Sequence, residues 1–398
     1  MAGCLLRQEM TGYQEDFSQT LEDIALLQRR AWARPQDVST KVRLTYRRYH
    51  LASLTGCEAN YDLARESTNQ LVEELGPRED LCLLKIQIEG RYHRLDLVKE
   101  ALRACPSLIE RPEGRSIRAD IDFQEGRYGE ARAALETLID ERAAWDDLAR
   151  LAHWQSRIGR KDEADALLLR AEEQLSAKEM RSYAWLELER GDLALACGKR
   201  NQAGHHYQRA SRAFPGYWRA DAHIVKWLLE EERDEEAITL MRDVVARAPK
   251  PELQQALGEI LVHAGHESEA ATYFQAAEKA YLASIETGGI HYYHHLADYY
   301  GGVGGCPDEA LAYARKDLAQ RDNFTTQSAL AWCLLNTGQI EEGITQIQRA
   351  LDSGVQMASL FNIAAKLHHA AGNSEQADRL ARQAKALSPC GRRFYIHL

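Results

Sequence analysis

Gly126-Arg-Tyr-Gly-Glu-Ala131 is echoed by Gly159-Arg-Lys-Asp-Glu-Ala164, and the pattern then recurs along the chain. The further copies are Gly198-Lys-Arg-Asn-Gln-Ala203, Gly265-His-Glu-Ser-Glu-Ala270, Gly305-Cys-Pro-Asp-Glu-Ala310, Gly338-Gln-Ile-Glu-Glu-Gly343 and Gly372-Asn-Ser-Glu-Gln-Ala377. Glu232-Arg-Asp-Glu-Glu-Ala237 fits with the glycine lost, and degenerate copies sit at Ala64 and Leu97. The anchor positions are therefore 64, 97, 131, 164, 203, 237, 270, 310, 343 and 377, spaced by 33, 34, 33, 39, 34, 33, 40, 33 and 34. A fixed period of this size marks a helical repeat array, in which each unit leaves an apolar face for the next to cover.

Other positions keep the same register. A small residue stands twelve before the anchor at Ala52, Ala119, Ala152, Gly191, Gly258, Ala331 and Ala365. Another stands seven after it at Ala104, Ala171, Ala210, Ala277, Ala350 and Ala384, and proline falls twelve after it at Pro215, Pro249 and Pro389. Small residues let the two helices of a unit cross closely, glycine supplies the left-handed residue that ends the first helix, and proline cannot continue the second. On these residues the chain resembles the tetratricopeptide repeat family over about residues 45–390. The resemblance implies an all-α fold, a right-handed superhelical solenoid of about ten helix–turn–helix repeats. The turn motif of ankyrin repeats is missing, and HEAT periods run longer.

This register divides the chain into an N-terminal capping region over 1–40, repeats 1–7 over 41–286, repeats 8–10 over 287–390 and a tail over 391–398. Asp16–Ala33 reads as an amphipathic helix closed by Pro35. Five extra residues between Ala164 and Ala203 lengthen either the helix Asp162–Ala177 or the loop after it. Six extra residues between Ala270 and Ala310 give an extended helix over Glu269–Glu286, stopped by Gly288-Gly289, and a bend over 280–305.

Composition agrees. The 398 residues are 45% hydrophobic and 28% charged with only 9 prolines, enough apolar material for a large folded body. Mean hydropathy is −0.49 and no apolar run is long enough for a membrane span. The net charge of −10 argues against nucleic acid as a principal partner. Residues 1–23 lack the pattern of a signal peptide. Eight scattered cysteines without metal-type spacing then read as free, mostly buried thiols of a cytoplasmic protein.

The family presents the first helix of each unit to a concave groove, and carrying its groove positions over by register implies a set of contact residues. These are Tyr46, Tyr49, Asp120, Phe123, His153, Asp192, Lys226, Glu259, His263, Trp332, Asn336, Asn362, Lys366 and His369. The set is polar and aromatic, which suits a protein or peptide partner. Asn336, Asn362 and Lys366 are only part of the carboxylate clamp of some chaperone-binding members.

The least ordinary stretch is His291-Tyr-Tyr-His294-His295-Leu-Ala-Asp298. His291, His294 and Asp298 fall at i, i+3 and i+7 and so share a helix face, beside Glu259 and His263 of the preceding unit. Two imidazoles and a carboxylate are a competent set for a divalent metal; the same residues serve equally for ordinary ligand contact. The basic run Lys41-Val-Arg-Leu-Thr-Tyr-Arg-Arg48 reads as a solvated face or a patch for an acidic partner, and His205-His206 as convex surface. The apolar tail, if it docks in a neighbouring groove, makes a homodimer. No nucleotide loop, H-E-x-x-H or nucleophile elbow is present. The sequence therefore points to a non-catalytic interaction scaffold. Its competitors are a metal- or small-ligand-binding accessory protein centred on His291, His294 and Asp298, and a bacterial peptide-sensing regulator.

Overall fold

The computed structural model describes residues 12–388, and the C-terminal tail and the first 11 residues lie outside it. The described residues form helices throughout. An N-terminal helix α1 (Tyr13–Ala33) precedes the pairs α2 (Val38–Thr55) with α3 (Glu58–Leu75), and α4 (Glu79–Arg91) with α5 (Leu95–Ala104). A short α6 (Pro106–Ile109) leads to α7 (Pro112–Gln124) with α8 (Tyr128–Arg142), and then α9 (Trp145–Arg157) with α10 (Lys161–Glu173). The next pairs are α11 (Met180–Ala196) with α12 (Arg200–Ala213), α13 (Trp218–Glu230) with α14 (Asp234–Arg247), and α15 (Pro251–His263) with α16 (Glu267–Glu286). The last three are α17 (Tyr293–Gly301) with α18 (Pro307–Gln320), α19 (Phe324–Asn336) with α20 (Ile340–Asp352), and α21 (Ala358–Ala370) with α22 (Ser374–Leu387). These are ten consecutive pairs, one per repeat.

The repeat grammar has a physical counterpart at each position. The anchor is the fourth residue of the second helix in eight pairs, and Ala131, Ala164, Ala203, Ala237, Ala270 and Ala310 are each at most 1% exposed. In the first two units the structure shifts the register. The fourth residues there are Tyr61 and Val98, both buried, rather than Ala64 and Leu97. The reason lies in the turns. Every unit carries a left-handed residue five before that position, and in the first two units it is Gly56 (φ 68°) and His93 (φ 58°). His93 and Glu232 (φ 61°) occupy this conformation without being glycine, at a backbone cost of roughly 1 kcal/mol each. The remaining eight are glycines.

The five extra residues after Ala164 leave α10 short; they form the loop 174–179 and lengthen α11 to 17 residues. The six after Ala270 extend α16 to 20 residues, and Gly288 (φ 91°) turns the chain out of it. A 3-10 segment, Ile290–Tyr292, then leads into α17. The cysteines differ from expectation. Antiparallel packing of α4 and α5 brings Cys82 and Cys105 together in a disulfide, while Cys57, Cys197, Cys306 and Cys333 are free. The argument for a cytoplasmic compartment from reduced thiols loses that support.

The array also touches itself between units far apart in the chain. The turn of the first unit meets α13, where the Trp218 indole donates to Leu54 O at 3.2 Å. The second meets the entry to the eighth, with Arg94 Nε donating to Gly288 O at 3.0 Å, and Arg65 of the first unit reaches the same turn through Thr287 O at 3.0 Å. In the third and ninth, Asn323 Nδ2 donates to Gln124 O at 3.0 Å and the Phe324 amide to the Tyr128 hydroxyl at 2.8 Å. In the fourth and tenth, the Gln356 amide donates to Arg157 O at 2.7 Å. From the second unit onward the offset is a constant six units, which makes the solenoid a coil whose successive turns are seamed together.

Candidate functional site

Charged side chains on the first helices of the pairs are largely paired with one another. Asp192 on α11 accepts from Lys226 Nζ on α13 at 2.9 Å to both oxygens and from the Tyr207 hydroxyl at 2.6 Å. Enclosure alone would raise its pKa, but Lys226, His223 and Tyr207 hold the carboxyl well below the usual range. Glu189, on the same helix, is relieved less, by the charges of Arg157, Lys226 and Arg219. Burial first, and the Asp192 charge second, push it up to about 7. On α9, Arg150 bridges Asp120 of α7 at 2.9 Å and Asp146 at 2.7 Å. His153 stands beside Phe123 at 5.8 Å between ring centres and accepts from Arg157 Nε at 3.4 Å.

On α15, Gln255 organises a second acidic group. Its amide donates to Glu259 at 2.9 Å and to Asp298 of α17 at 3.1 Å, while its carbonyl accepts from the Tyr281 hydroxyl at 3.0 Å. Burial raises the Glu259 carboxyl to about 7, and Asp298 adds to the shift. His263 is exposed at the end of α15, 4.0 Å from Asp234.

The three residues expected on one helix face take different partners. His291 belongs to the 3-10 segment rather than to α17, so the helical spacing to His294 and Asp298 does not hold. It is buried in the seam, edge-on to Tyr92 at 5.1 Å and 3.6 Å from Glu58. Burial lowers its pKa to about 4 despite Glu58, so it is neutral at pH 7. His294 lies against His93 of the second unit at 6.0 Å, and Asp298 faces Gln255. Among the described residues, no group of three or more His, Cys, Asp or Glu could hold a metal ion. The metal expectation finds no support in this geometry.

At the far end, Lys366 Nζ sits over the Trp332 ring at 4.7 Å, with Asn336, Asn362 and His369 exposed nearby on the same helices. At the near end, Tyr46 donates its hydroxyl to Asp80 O at 2.6 Å, and Tyr49 meets Tyr61 edge-on at 6.3 Å. Two cavities adjoin here through Gln87. One of about 450 Å³ is lined by α1, α2 and Gln87. The other, of about 510 Å³, runs from Gln87 past His93, Ile117 and Asp120 to Arg150.

Ten helix pairs, a fixed repeat period and a buried small anchor in most of the second helices decide the fold. It is of the tetratricopeptide-repeat type. No family model and no curated protein matches the sequence. Among solved structures, a chain of the APC/C hetero-tetramer Cut9-Hcn1 is similar at 15% identity and TM-score 0.48, over 97% of this chain and 76% of that one. Pseudomonas aeruginosa pilF is similar at 18% identity and TM-score 0.33, over 53% of this chain and 95% of that one. No helix of the described part of this repeat array is long and apolar enough to cross a membrane. Sequence reasoning missed His93, Glu58, Gln255 and Arg150. Their importance comes from neighbours in other repeats, and nothing in a local pattern signals that.

Proposed function

We propose that this repeat array is a non-catalytic scaffold that binds a protein or peptide segment along the inner side of its coil. The observation that carries the reading is the pair of adjoining cavities running from α1 to α9, of about 450 and 510 Å³. Their walls combine apolar side chains with arginines and carboxylates, the mixture that anchors a polypeptide by a few buried side chains and orients it by charge. The inner ion pairs are mutual, so they offer hydrogen-bonding variety without an uncompensated charge. Tyr49, Ile117 and Asp120 are the contact residues of this groove, with Trp332 and Lys366 at the opposite end.

The test is affinity capture with quantitative mass spectrometry, using the whole chain. Ile117→Glu should lose partners that the wild type retains. Glu163→Lys, an exposed change on the second helix α10, should retain them. Partners indifferent to Ile117→Glu and to Tyr49→Ala would refute a groove-binding role.

A further inference from the structure

We infer that the N-terminal end of the groove is a receptor for an acidic peptide segment carrying one bulky apolar side chain. The inference rests on the groove-binding reading above and gives that groove a partner chemistry.

Three of the four cations in the basic run Lys41–Arg48 are committed to structure. Lys41 is held by Glu74 at 2.7 Å, Arg47 by Asp23 at 2.9 Å, and Arg48 donates to Ser67. His50 is paired with Asp16 at 2.9 Å. Two cations remain at the cavity of about 450 Å³. Arg30 and Arg43 both line it, both are exposed, and neither makes an ion pair with any described residue. The same lining carries apolar surface beside polar groups. Leu26 is 40% exposed and Tyr46 36% exposed, with Leu27 buried behind. The Tyr46 ring is pinned by its hydrogen bond to Asp80 O, so this surface exists before any ligand arrives.

Two guanidinium groups without carboxylate partners among the described residues, on a chain of net charge −10, complement an acidic ligand. Each can take a carboxylate through two parallel N–H···O bonds. The apolar part of that lining takes one aromatic or large aliphatic side chain, and burying it supplies the part of the affinity that salt does not screen. The occupant that satisfies both is a peptide with an apolar residue flanked by Asp or Glu. A nucleic-acid backbone fits less well, since this cavity offers two uncommitted cations against a polymer of closely spaced phosphates.

The experiment is selection of a random dodecapeptide display library on the whole chain, followed by fluorescence anisotropy of the enriched peptides. These should be acidic with an aromatic or large aliphatic residue. Their affinity should fall by about tenfold or more in the Arg30→Glu, Arg43→Glu double variant and fall with rising salt. It should recover when the peptide's acidic residues are replaced by lysine. Both arginines are exposed, and an unchanged circular dichroism spectrum shows that the variant folds. Enriched peptides without net negative charge, or acidic ones that bind the double variant as well as wild type, overturn the inference. If such peptides are lost on Arg150→Glu instead, the groove reading stands and only this receptor falls. A selection that enriches nothing overturns the receptor, and a labelled oligothymidylate that binds more tightly than the peptides through the same two arginines does so as well.

Discussion

Gly191 stands twelve residues before the anchor Ala203, in the middle of α11, and Gly191→Ala sets two effects of opposite sign against each other. In an open helix the change would stabilise by roughly 0.5–1 kcal/mol, because alanine loses less backbone entropy. Here a Cβ would stand 2.6 Å from Tyr207 Cδ1 and 3.0 Å from Cζ, where carbon atoms prefer about 3.5–4 Å. The ring has nowhere to go. Tyr207 is fully buried, its hydroxyl is held on Asp192 at 2.6 Å, and His223 lies 5.6 Å away on its other side. Relief requires α11 and α12 to separate. Overpacking of this kind costs about 1–3 kcal/mol, and dislodging the hydroxyl from Asp192 adds about 1 kcal/mol. The net expectation is a loss of roughly 1–3 kcal/mol. Gly129→Ala is the matched control, since nothing lies within 4 Å of a Cβ at that position in α8, and it should stabilise by up to about 1 kcal/mol. Urea unfolding followed by circular dichroism reads both. Hydrogen exchange of α11 and α12 localises the change, because repeat arrays unfold in sections. A Gly191→Ala midpoint equal to or above that of Gly129→Ala would refute the packing argument.

Other outcomes follow from the same structure. His291 is neutral when folded, with a pKa near 4 against 6.5 unfolded. Its contribution is therefore intact above pH 6.5 and is lost as the pH falls towards 4, at roughly 1.4 kcal/mol per unit; thermal melts of His291→Gln should show a shallower acid slope, and an unchanged slope counts against this. Arg321→Ala leaves the carboxylate of Asp317, 1% exposed and bonded to Arg321 at 3.0 and 3.1 Å, without its cation. Calorimetry should show a loss of about 3–5 kcal/mol, and a loss under about 1 kcal/mol would mean the pair is structurally idle. Glu232→Gly relieves a left-handed residue (φ 61°) and should raise the urea midpoint by the equivalent of about 0.5–1 kcal/mol; a lowered midpoint would mean that the Glu232 side chain outweighs the strain.

The fold was legible because its determinants are local. A glycine at a left-handed turn, a small residue at a crossing and an anchor alanine each act within one unit, so period and spacing expose them. The register failed in the first two units: in the first, Gly56 makes the turn but Tyr61 rather than a small residue stands at the anchor. His93 carries the turn conformation of the second unit, so a search for glycine passed over it and placed the anchor at Leu97 instead of Val98. The groove was legible as a list of positions but not as a network. Asp192 and Lys226 were both named, yet their mutual pairing, and the burden it leaves on Glu189, depend on the angle between neighbouring units. The His291 cluster fared worse. A helical spacing assumes a helix, and Gly288 and Gly289 impose a 3-10 entry that rotates His291 out of phase with His294 and Asp298.

The same insertion shows why the seam could not be read from the chain. Contacts between the second and eighth, third and ninth, and fourth and tenth units keep a constant offset, so they follow from the pitch of the coil rather than from any one motif. Gly288 serves this seam in two ways. Its φ of 91° excludes most side chains, and its carbonyl accepts from Arg94 across the seam so closely that a Cβ would strike the guanidinium. A glycine that looked like a helix stop is thus also the point where one turn of the coil meets the next. In the proposed binding role the groove is the inner side of that coil, and its width would follow from the residues that hold the turns together, which lie in units far apart in sequence. On that proposal, partner selection would couple two kinds of residue: the exposed arginines and aromatic side chains proposed to meet a ligand, and the buried Trp218, His291 and Asn323 that join one turn of the coil to the next.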